Sequence, residues 1–465
     1  MANWPRSSPR PSPASSRASP RRSRSSAAAD MTVCVASSDL ITAASRARLF
    51  APFAGLCRVG IAVSGGPDST ALLILFDRWK RENPAAPVLH VLTVDHGLRP
   101  ESAREADAVL DLAARLGHPA EKLVWRHDGP PPVSDIQAEA RAARYRLLVD
   151  AARRHSLNAV LLAHTQDDQA ETLLMHLARG SGVAGLAGMP AERAIDGVRF
   201  LRPLLGVAKA DLLALLEEAG IPFVNDPSNA SDRYTRVRIR KALPALAELG
   251  LTADRLAGTA RRMARAEAAL QSATDALARE TAVNHGGVWS IDTAALAAAP
   301  DEIGLRLMVR LIRAIRPSDY PPRADAPESW HAAFRAGTAP RRATMAGVVL
   351  HLRSDRLWLY AEAGRSGFPE LVVDADGDHL WDNRFVVTIA GSGGHPLRIA
   401  PRCPGERYGD MPAAAAASLP AVSAADGGDL PARLTITIRP IGPQSSAASE
   451  DCRSVAWQGD TDNLS

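Results

Sequence analysis

The first stretch of the sequence that could do chemistry is the loop Ser64-Gly65-Gly66-Pro67-Asp68-Ser69. Its paired glycines allow positive φ and let the backbone approach an anion closely. The amphipathic segment that follows predicts a helix, whose first N–H groups and dipole favour a negative ligand. Ser64 and Ser69 add hydroxyl donors, and Asp68 adds a carboxylate that suits Mg²⁺ bound to phosphates. The loop therefore predicts a phosphate site; the alternative is a Ser/Gly turn without a ligand.

The spacing of this loop disfavours two common nucleotide sites. The loop lacks Gly-x-x-x-x-Gly-Lys-Ser/Thr, which carries a lysine to the terminal phosphates, and it lacks Gly-x-Gly-x-x-Gly. Walker-type hydrolysis and dinucleotide binding are therefore disfavoured.

A second polar cluster consists of Asp167, Asp168 and Glu171, shortly after an apolar run. Asp168 and Glu171 are three residues apart, so they share one face of a helix. Helix capping is an alternative use of these acids, with Asp167 placed for the N-cap and Glu171 for a capping arrangement.

The elements that must position both clusters form a regular α/β alternation. The apolar runs predict strands at Leu56–Val63, Val88–Val94, Lys122–Arg126 and Asn158–Ala163, and helices at Ser69–Lys80, Glu101–Leu116, Asp135–His155 and Asp167–Leu177. Helical crossovers between strands imply a parallel, doubly wound sheet. Ligands of such sheets lie beyond the carboxyl ends of the strands, where both clusters and His96 fall.

The rest of the chain suggests further domains. We assign residues 1–30 to a basic Ser/Pro/Arg-rich tail, expected to be disordered, and residues 51–245 to the α/β domain. Residues 246–365 are expected to form a mainly helical domain with one hairpin around Ser354-Asp355, and residues 366–465 a small α+β region.

Composition limits the class of protein. With 46% hydrophobic and 23% charged residues the chain is ordinary for a globular protein. No uninterrupted apolar run reaches membrane-spanning length, so no membrane association is expected. Four dispersed cysteines disfavour a disulfide scaffold, a zinc site and an iron–sulfur site, and they favour a cytoplasmic location. The net charge of +4 comes from the amino-terminal tail, so any nucleic-acid surface must be local.

The loop resembles the signature of the PP-loop ATP pyrophosphatases, Ser-Gly-Gly-x-Asp-Ser after the first strand. The resemblance implies cleavage of ATP between its α and β phosphates, adenylation of a substrate oxygen and release of pyrophosphate.

Further motifs narrow the family. They are Val94-Asp95-His96-Gly97-Leu98-Arg99, Ala138 through Arg141 to Ala143-Arg144-Tyr145, Ala163 to Thr172, Arg179-Gly180-Ser181-Gly182, Arg202-Pro203-Leu204-Leu205, Asn225-Asp226-Pro227-Ser228-Asn229 and Arg236 to Arg240. In this order they resemble the tRNA(Ile)-lysidine synthetases. The resemblance implies that ATP and Mg²⁺ activate C2 of the wobble cytidine in the CAU anticodon of tRNA(Ile), and that free L-lysine then displaces AMP to form lysidine. A homodimer is left open.

The resemblance also implies residue roles. The ATP phosphates and Mg²⁺ would bind at Ser64, Gly65, Gly66, Pro67, Asp68 and Ser69, with His96 at the nucleotide and Asp68 as the metal ligand. The acids Asp167, Asp168 and Glu171 would hold the lysine ammonium or the metal and include the base. The substrate contacts would be Arg141, Arg144, His164, Arg236 and Arg240. For the two histidines the alternative is a packed or solvated side chain, and for the arginines it is surface salt bridging.

Two departures and two rival interpretations remain. Val237 and Gln137 stand where the family usually has asparagine and glutamate, which puts local tRNA or lysine contacts in doubt. A related tRNA thiolase that uses a cluster or persulfide needs cysteines near the site, and the sequence has none between Cys57 and Cys403. A nucleotide-binding regulatory module would bind ATP without releasing pyrophosphate.

Overall fold

The structure is a computed structural model that describes residues 42–97, 101–126, 136–224, 235–317, 325–403, 409–431 and 433–441. The amino-terminal tail and the Asn225–Asn229 motif lie outside these residues. The chain divides into two compact units, Met1–Glu267 and Ala268–Ser465. None of the helices within the described residues is both long enough and apolar enough to cross a membrane.

The first unit is built on a six-stranded sheet. Its strands are β1 (Arg58–Ala62), β2 (Val88–Asp95), β3 (Ala120–Val124), β4 (Ala159–Leu161), β5 (Glu192–Ile195) and β6 (Val198–Leu201). Their order is β3-β2-β1-β4-β6-β5; all neighbours pair in parallel except β5, which is antiparallel to β6. The strand order reverses between β1 and β4, which is the point where such sheets bind ligands. The predicted doubly wound parallel sheet is confirmed.

Helices pack on both faces of this sheet. The helices up to the unit boundary are α1 (Ala43–Phe50), α2 (Pro67–Glu82), α3 (Ser102–Leu116), α4 (Ile136–Arg154), α5 (Gln166–Leu177), α6 (Val183–Leu186), α7 (Lys209–Glu218) and α8 (Thr235–Glu248), and α9 (Ala253–Thr281) begins in the first unit and ends in the second. On one face the aromatic side chains of α2, Phe76 and Trp79, pack with Phe50 of α1. On the other face Leu148 of α4 packs in a separate core with Phe200 of β6. The strands therefore need apolar residues on both sides, which explains their continuous apolar runs.

The second unit begins with a five-stranded antiparallel sheet. Its strands are β7 (Ala282–Asn284), β8 (Trp289–Asp292), β9 (Arg342–Met345), β10 (Val348–Arg353) and β11 (Arg356–Ala361), in the order β7-β8-β11-β10-β9. The helices α10 (Thr293–Ala298), α11 (Asp301–Ile315) and α12 (Asp325–Arg335) lie between β8 and β9 in the chain. Apolar residues of α11 and of the sheet share one core. The expected helices and hairpin are present, and β7, β8 and β9 are additional.

The end of the chain forms two three-stranded antiparallel sheets. The strands are β12 (Leu371–Val373), β13 (Gly377–Trp381), β14 (Phe385–Ala390), β15 (Leu397–Pro401), β16 (Pro420–Ala424) and β17 (Thr435–Pro440), with the short helix α13 (Ala413–Ala416) before β16. The sheet orders are β12-β15-β16 and β13-β14-β17. Strands β14 and β17 pair with each other although they are about 50 residues apart in the chain.

Candidate active site

The phosphate loop connects β1 to α2 at the switch point of the sheet. Gly65 has φ +80, a backbone conformation that side chains rarely tolerate, and its carbonyl accepts a 2.9 Å hydrogen bond from the Val224 N–H. Gly66 is the N-cap of α2, Pro67 is in its first turn, and no side chain caps the helix. A proline in the first turn loses nothing, because its N–H would have no partner there. The helix start is therefore open to an anion.

The two serines of the loop are arranged around each other. The Ser69 hydroxyl donates to the Gly66 carbonyl at 3.1 Å, and it accepts the Ser64 N–H at 3.1 Å. The hydroxyl oxygens of Ser64 and Ser69 lie 3.2 Å apart. Ser69 is buried and Ser64 is exposed, so Ser64 is the hydroxyl that a ligand can reach directly.

Asp68 lies in the first turn of α2 and has one oxygen without a partner. The Lys209 ammonium donates to Asp68 Oδ2 at 3.2 Å, while Oδ1 is buried and accepts no hydrogen bond among the described residues. Burial raises the pKa of Asp68 above its ordinary value; Lys209 opposes this, and the nearby Asp168 and Asp167 add to it. A buried carboxylate oxygen without a donor suits a hard cation, so the residues present fit Mg²⁺.

The acidic cluster begins at the start of α5, which follows β4. Thr165 is the N-cap and forms a capping box with Asp168: the Thr165 N–H donates to Asp168 Oδ2 at 2.8 Å. Capping by these acids therefore occurs, although the residues that carry it are Thr165 and Asp168 rather than Asp167 and Glu171. Asp167 Oδ2 instead accepts the N–H of Lys209 at 2.8 Å, the first residue of α7.

Two arginines of α8 bind oxygens of Asp168 and Glu171. Arg236 donates to Glu171 Oε2 at 2.6 Å and to Asp168 Oδ1 at 2.8 Å. Arg240 donates to Glu171 Oε1 at 2.6 Å, and this hydrogen bond is the main cause that raises the pKa of Arg240. The Glu171 side chain is only 2% exposed, whereas those of Arg236 and Arg240 are 36% and 42% exposed. The structure thus brings four predicted site residues together as an ion-paired network.

His164 stands just before α5, and its Nδ1 is buried without a partner among the described residues. Burial lowers the pKa of His164 to about 4; the charges of Arg202, Arg141 and Arg236 also lower it, while Asp168 opposes them. The imidazole is therefore neutral at neutral pH, with a nitrogen available to a ligand.

The other predicted contacts lie on neighbouring elements. Arg141 and Arg144 are exposed on α4, and the Arg141 guanidinium lies 5.2 Å from the ring centroid of Tyr145. His96 directly follows β2 and is half-buried at the same edge of the sheet. Of the two departures from the family pattern, Val237 is 8% exposed, so it packs inside the unit, and the side chain of Gln137 is outside the described residues.

Sequence reasoning missed Lys209 and gave no role to Arg202. Lys209 contacts Asp68 with its ammonium and Asp167 with its backbone, so it connects the phosphate loop to the acidic cluster. The sequence contained a signal for Lys209, because a positive charge at the start of a helix is unfavourable next to the helix dipole. Such a lysine is expected to have a compensating partner. Arg202 is 3% exposed, donates to the Pro190 carbonyl at 2.7 Å and leaves its Nε without a described partner.

Comparison with known proteins shows which family this chain is similar to. A family model described as a PP-loop domain matches residues 40–246. The chain is 43% identical to the tRNA(Ile)-lysidine synthase of Rhodopseudomonas palustris, over 71% of this chain and 97% of that protein. It is 46% identical to that of Methylobacterium nodulans, over 66% and 91% of the two chains, and 40% identical to that of Ruegeria pomeroyi, over 78% and 86%.

The phosphate loop at the switch point of a parallel sheet and the family match define an ATP-using protein of the PP-loop class. The extent of the similarity to the curated relatives is decisive for the family. The chain belongs to the tRNA(Ile)-lysidine synthase family, which confirms the resemblance drawn from the motifs.

Proposed function

We propose that this chain is an ATP-dependent ligase that joins free L-lysine to C2 of the wobble cytidine in the CAU anticodon of tRNA(Ile). In the first step the cytidine C2 oxygen attacks the α-phosphorus of ATP, and the bond to pyrophosphate breaks. In the second step the lysine amine attacks C2, its proton passes to a base, and the C2–O bond breaks to release AMP. The products are lysidine, AMP and pyrophosphate.

The observation that carries this proposal is the link that Lys209 makes between Asp68 and Asp167. Adenylation needs the α-phosphate next to the cytidine, and the second step needs an amine next to the same carbon. Asp68 and Asp167 follow different strands, and Lys209 contacts both of them. The groups assigned to the two steps therefore lie next to each other.

The phosphate loop is assigned to ATP. The open start of α2 and the exposed Ser64 hydroxyl suit the phosphates, and Asp68 would hold Mg²⁺ through its unpartnered oxygen. When bound, Mg²⁺ supplies positive charge to the phosphate oxygens. Lys209 would add a second positive charge beside Asp68, because its ammonium could move from the carboxylate to a phosphate oxygen.

The acidic cluster is assigned to the lysine substrate. Asp167, Asp168 and Glu171 supply three carboxylates, of which Asp168 and Glu171 are ion-paired with Arg236. The substrate ammonium can replace a guanidinium in this network, because Arg236 is partly exposed and a tRNA phosphate can receive it. The acid that faces the incoming amine would also accept its proton.

Contacts to tRNA are assigned to the residues around this network. The exposed Arg141 and Arg144 of α4, together with the basic side chains of α8 and α9, suit a phosphate backbone. Neutral His164 has a free ring nitrogen that suits a hydrogen bond to the cytosine, and His96 suits the nucleotide. The related thiolase chemistry is disfavoured, because Cys57 precedes β1 and so lies at the opposite end of that strand from the loop.

The experiment measures pyrophosphate release with ATP and Mg²⁺ in the presence of tRNA(Ile), of lysine, and of both. The proposal expects release to require the tRNA and turnover to require lysine as well. A tRNA with a different anticodon serves as the control and is expected to give no release. ATP binding without pyrophosphate release would support the regulatory module, and turnover unaffected by lysine would contradict the proposed ligase.

A further inference from the structure

Two histidines and a glutamate meet at the edge of the sheet opposite the phosphate loop. His90 is near the start of β2, Glu121 is near the start of β3, and His155 directly follows α4. The phosphate loop follows the carboxyl end of β1, which runs parallel to β2. The group His90, Glu121 and His155 is therefore separate from the candidate active site.

The three side chains already converge. One ligand atom from each lies within 4.8 Å of the others, and His155 Nε2 is 2.7 Å from Glu121 Oε2. The ring centroids of His90 and His155 are 4.0 Å apart. Atoms that share a tetrahedral Zn²⁺ at about 2.0–2.2 Å lie about 3.4 Å from each other. Small side-chain rotations therefore bring all three to one ion.

The surroundings also orient the ligands. Arg154 donates to Glu121 Oε1 at 2.6 Å, which leaves Oε2 directed at His155. Such outer partners orient the ligands of metal sites. The second neighbouring cation, Arg58, donates to the His155 carbonyl at 3.5 Å. This hydrogen bond goes to the backbone and not to the His155 ring, although both guanidinium charges lower the affinity for a cation.

We propose that His90, Glu121 and His155 bind one divalent transition-metal ion, with Zn²⁺ as the best fit. Two imidazoles and one carboxylate are a ligand set of Zn²⁺, with water as the fourth ligand, whereas Mg²⁺ prefers oxygen ligands. The ion connects β2, β3 and the end of α4, so it stabilises this edge of the unit. The dispersed cysteines of the sequence disfavoured a zinc site. His90, Glu121 and His155 are far apart in the sequence and come together only in the fold.

The test uses the full chain, purified without a histidine tag, stripped of metal and saturated with Mg²⁺. Calorimetric titration with Zn²⁺ is expected to show one ion bound per chain and a raised Tm. His90→Gln, Glu121→Gln and His155→Gln are each expected to weaken binding by more than about tenfold. His379→Gln, which changes a histidine of the other unit, is the matched control and leaves binding unchanged.

Co²⁺ provides a second measurement that does not depend on stability. Bound to the wild-type chain it is expected to give the visible absorption of a four-coordinate site, which Glu121→Gln loses. The wild-type titration can refute the proposal even if a variant fails to fold. No saturable Zn²⁺ binding at micromolar concentration, or binding that all three variants retain, would overturn the proposal and leave a His155–Glu121 ion pair only.

Discussion

Lys209→Met separates the charge of Lys209 from its backbone contact. The substitution removes the ammonium that lies 3.2 Å from Asp68 Oδ2, and it keeps the N–H that donates to Asp167. The α7 helix should therefore start at the same residue. Lys209→Arg retains the charge and is the conservative variant.

The effect on stability is expected to be small. Two unit charges at 3.2 Å attract by about 5 kcal/mol at an effective dielectric constant of about 20, which is an upper bound. The Lys209 and Asp68 side chains are 37% and 23% exposed, so solvent screening reduces the net contribution to about 1 kcal/mol or less. Activity is expected to fall far more, by about 10²–10³-fold in kcat, as for other single groups that stabilise transition-state charge.

The pH profile provides a readout that a purely structural role would not change. Lys209 opposes the burial that raises the pKa of Asp68, so its removal raises that pKa further. Asp68 must be ionised to hold Mg²⁺; the variant should therefore lose activity at a higher pH than the wild type as the pH falls. The assay is pyrophosphate release across the acidic range at saturating Mg²⁺.

Lys122→Met is the matched control, because it breaks another lysine–aspartate pair of the same unit, with Asp107 at 2.6 Å. It should leave both the rate and the pH profile unchanged. If Lys209→Met retains a rate within about threefold of the wild type and its acidic limb does not move, the role assigned to Lys209 is wrong.

Three further predictions concern the same unit. Asp68→Asn keeps the shape of the side chain, so we expect an intact fold by circular dichroism and a loss of about 10²-fold or more in pyrophosphate release; an unchanged rate would refute the metal assignment. Gly65→Ala forces a side chain into φ +80, and urea denaturation should show about 1–2 kcal/mol lower stability; equal stability would contradict this. The pKa of His164 is lowered to about 4 in the folded chain, so the unfolded chain binds this proton at a higher pH. The free energy of unfolding should therefore decrease as the pH is lowered from about 6.5 to about 4. His164→Gln should flatten that part of the profile, and an unchanged slope would exclude the assignment.

Local patterns predicted the parts of the fold and site that local chemistry determines. The phosphate loop follows from residue types within one short segment, and the long helices follow from apolar periodicity. β7 and β9 have only three and four residues, which is too few for a period-two pattern to stand out. Short strands of this kind are defined by pairing with neighbours that are distant in the chain.

Side-chain contacts depend on the tertiary fold. The sequence therefore predicted which residues belong to the site more accurately than it predicted the contacts between them. Lys209 was missed because its partner Asp68 is 141 residues away. The pairing of Glu171 with Arg236 likewise joins two helices that only the fold brings together. The N-cap was assigned to Asp167, two residues after the actual N-cap Thr165, because both residue types cap helices and aspartate is the more favoured of the two.

The proposed reaction attaches free lysine to the wobble cytidine of tRNA(Ile). The most direct measurement is mass spectrometry of nucleosides from tRNA(Ile) after incubation with ATP, Mg²⁺ and isotopically labelled lysine. We predict that cytidine from the anticodon gains the mass of labelled lysine less water, and that Asp68→Asn abolishes this product. Labelled nucleoside that is absent despite pyrophosphate release, or label found at another nucleotide, would contradict the claim.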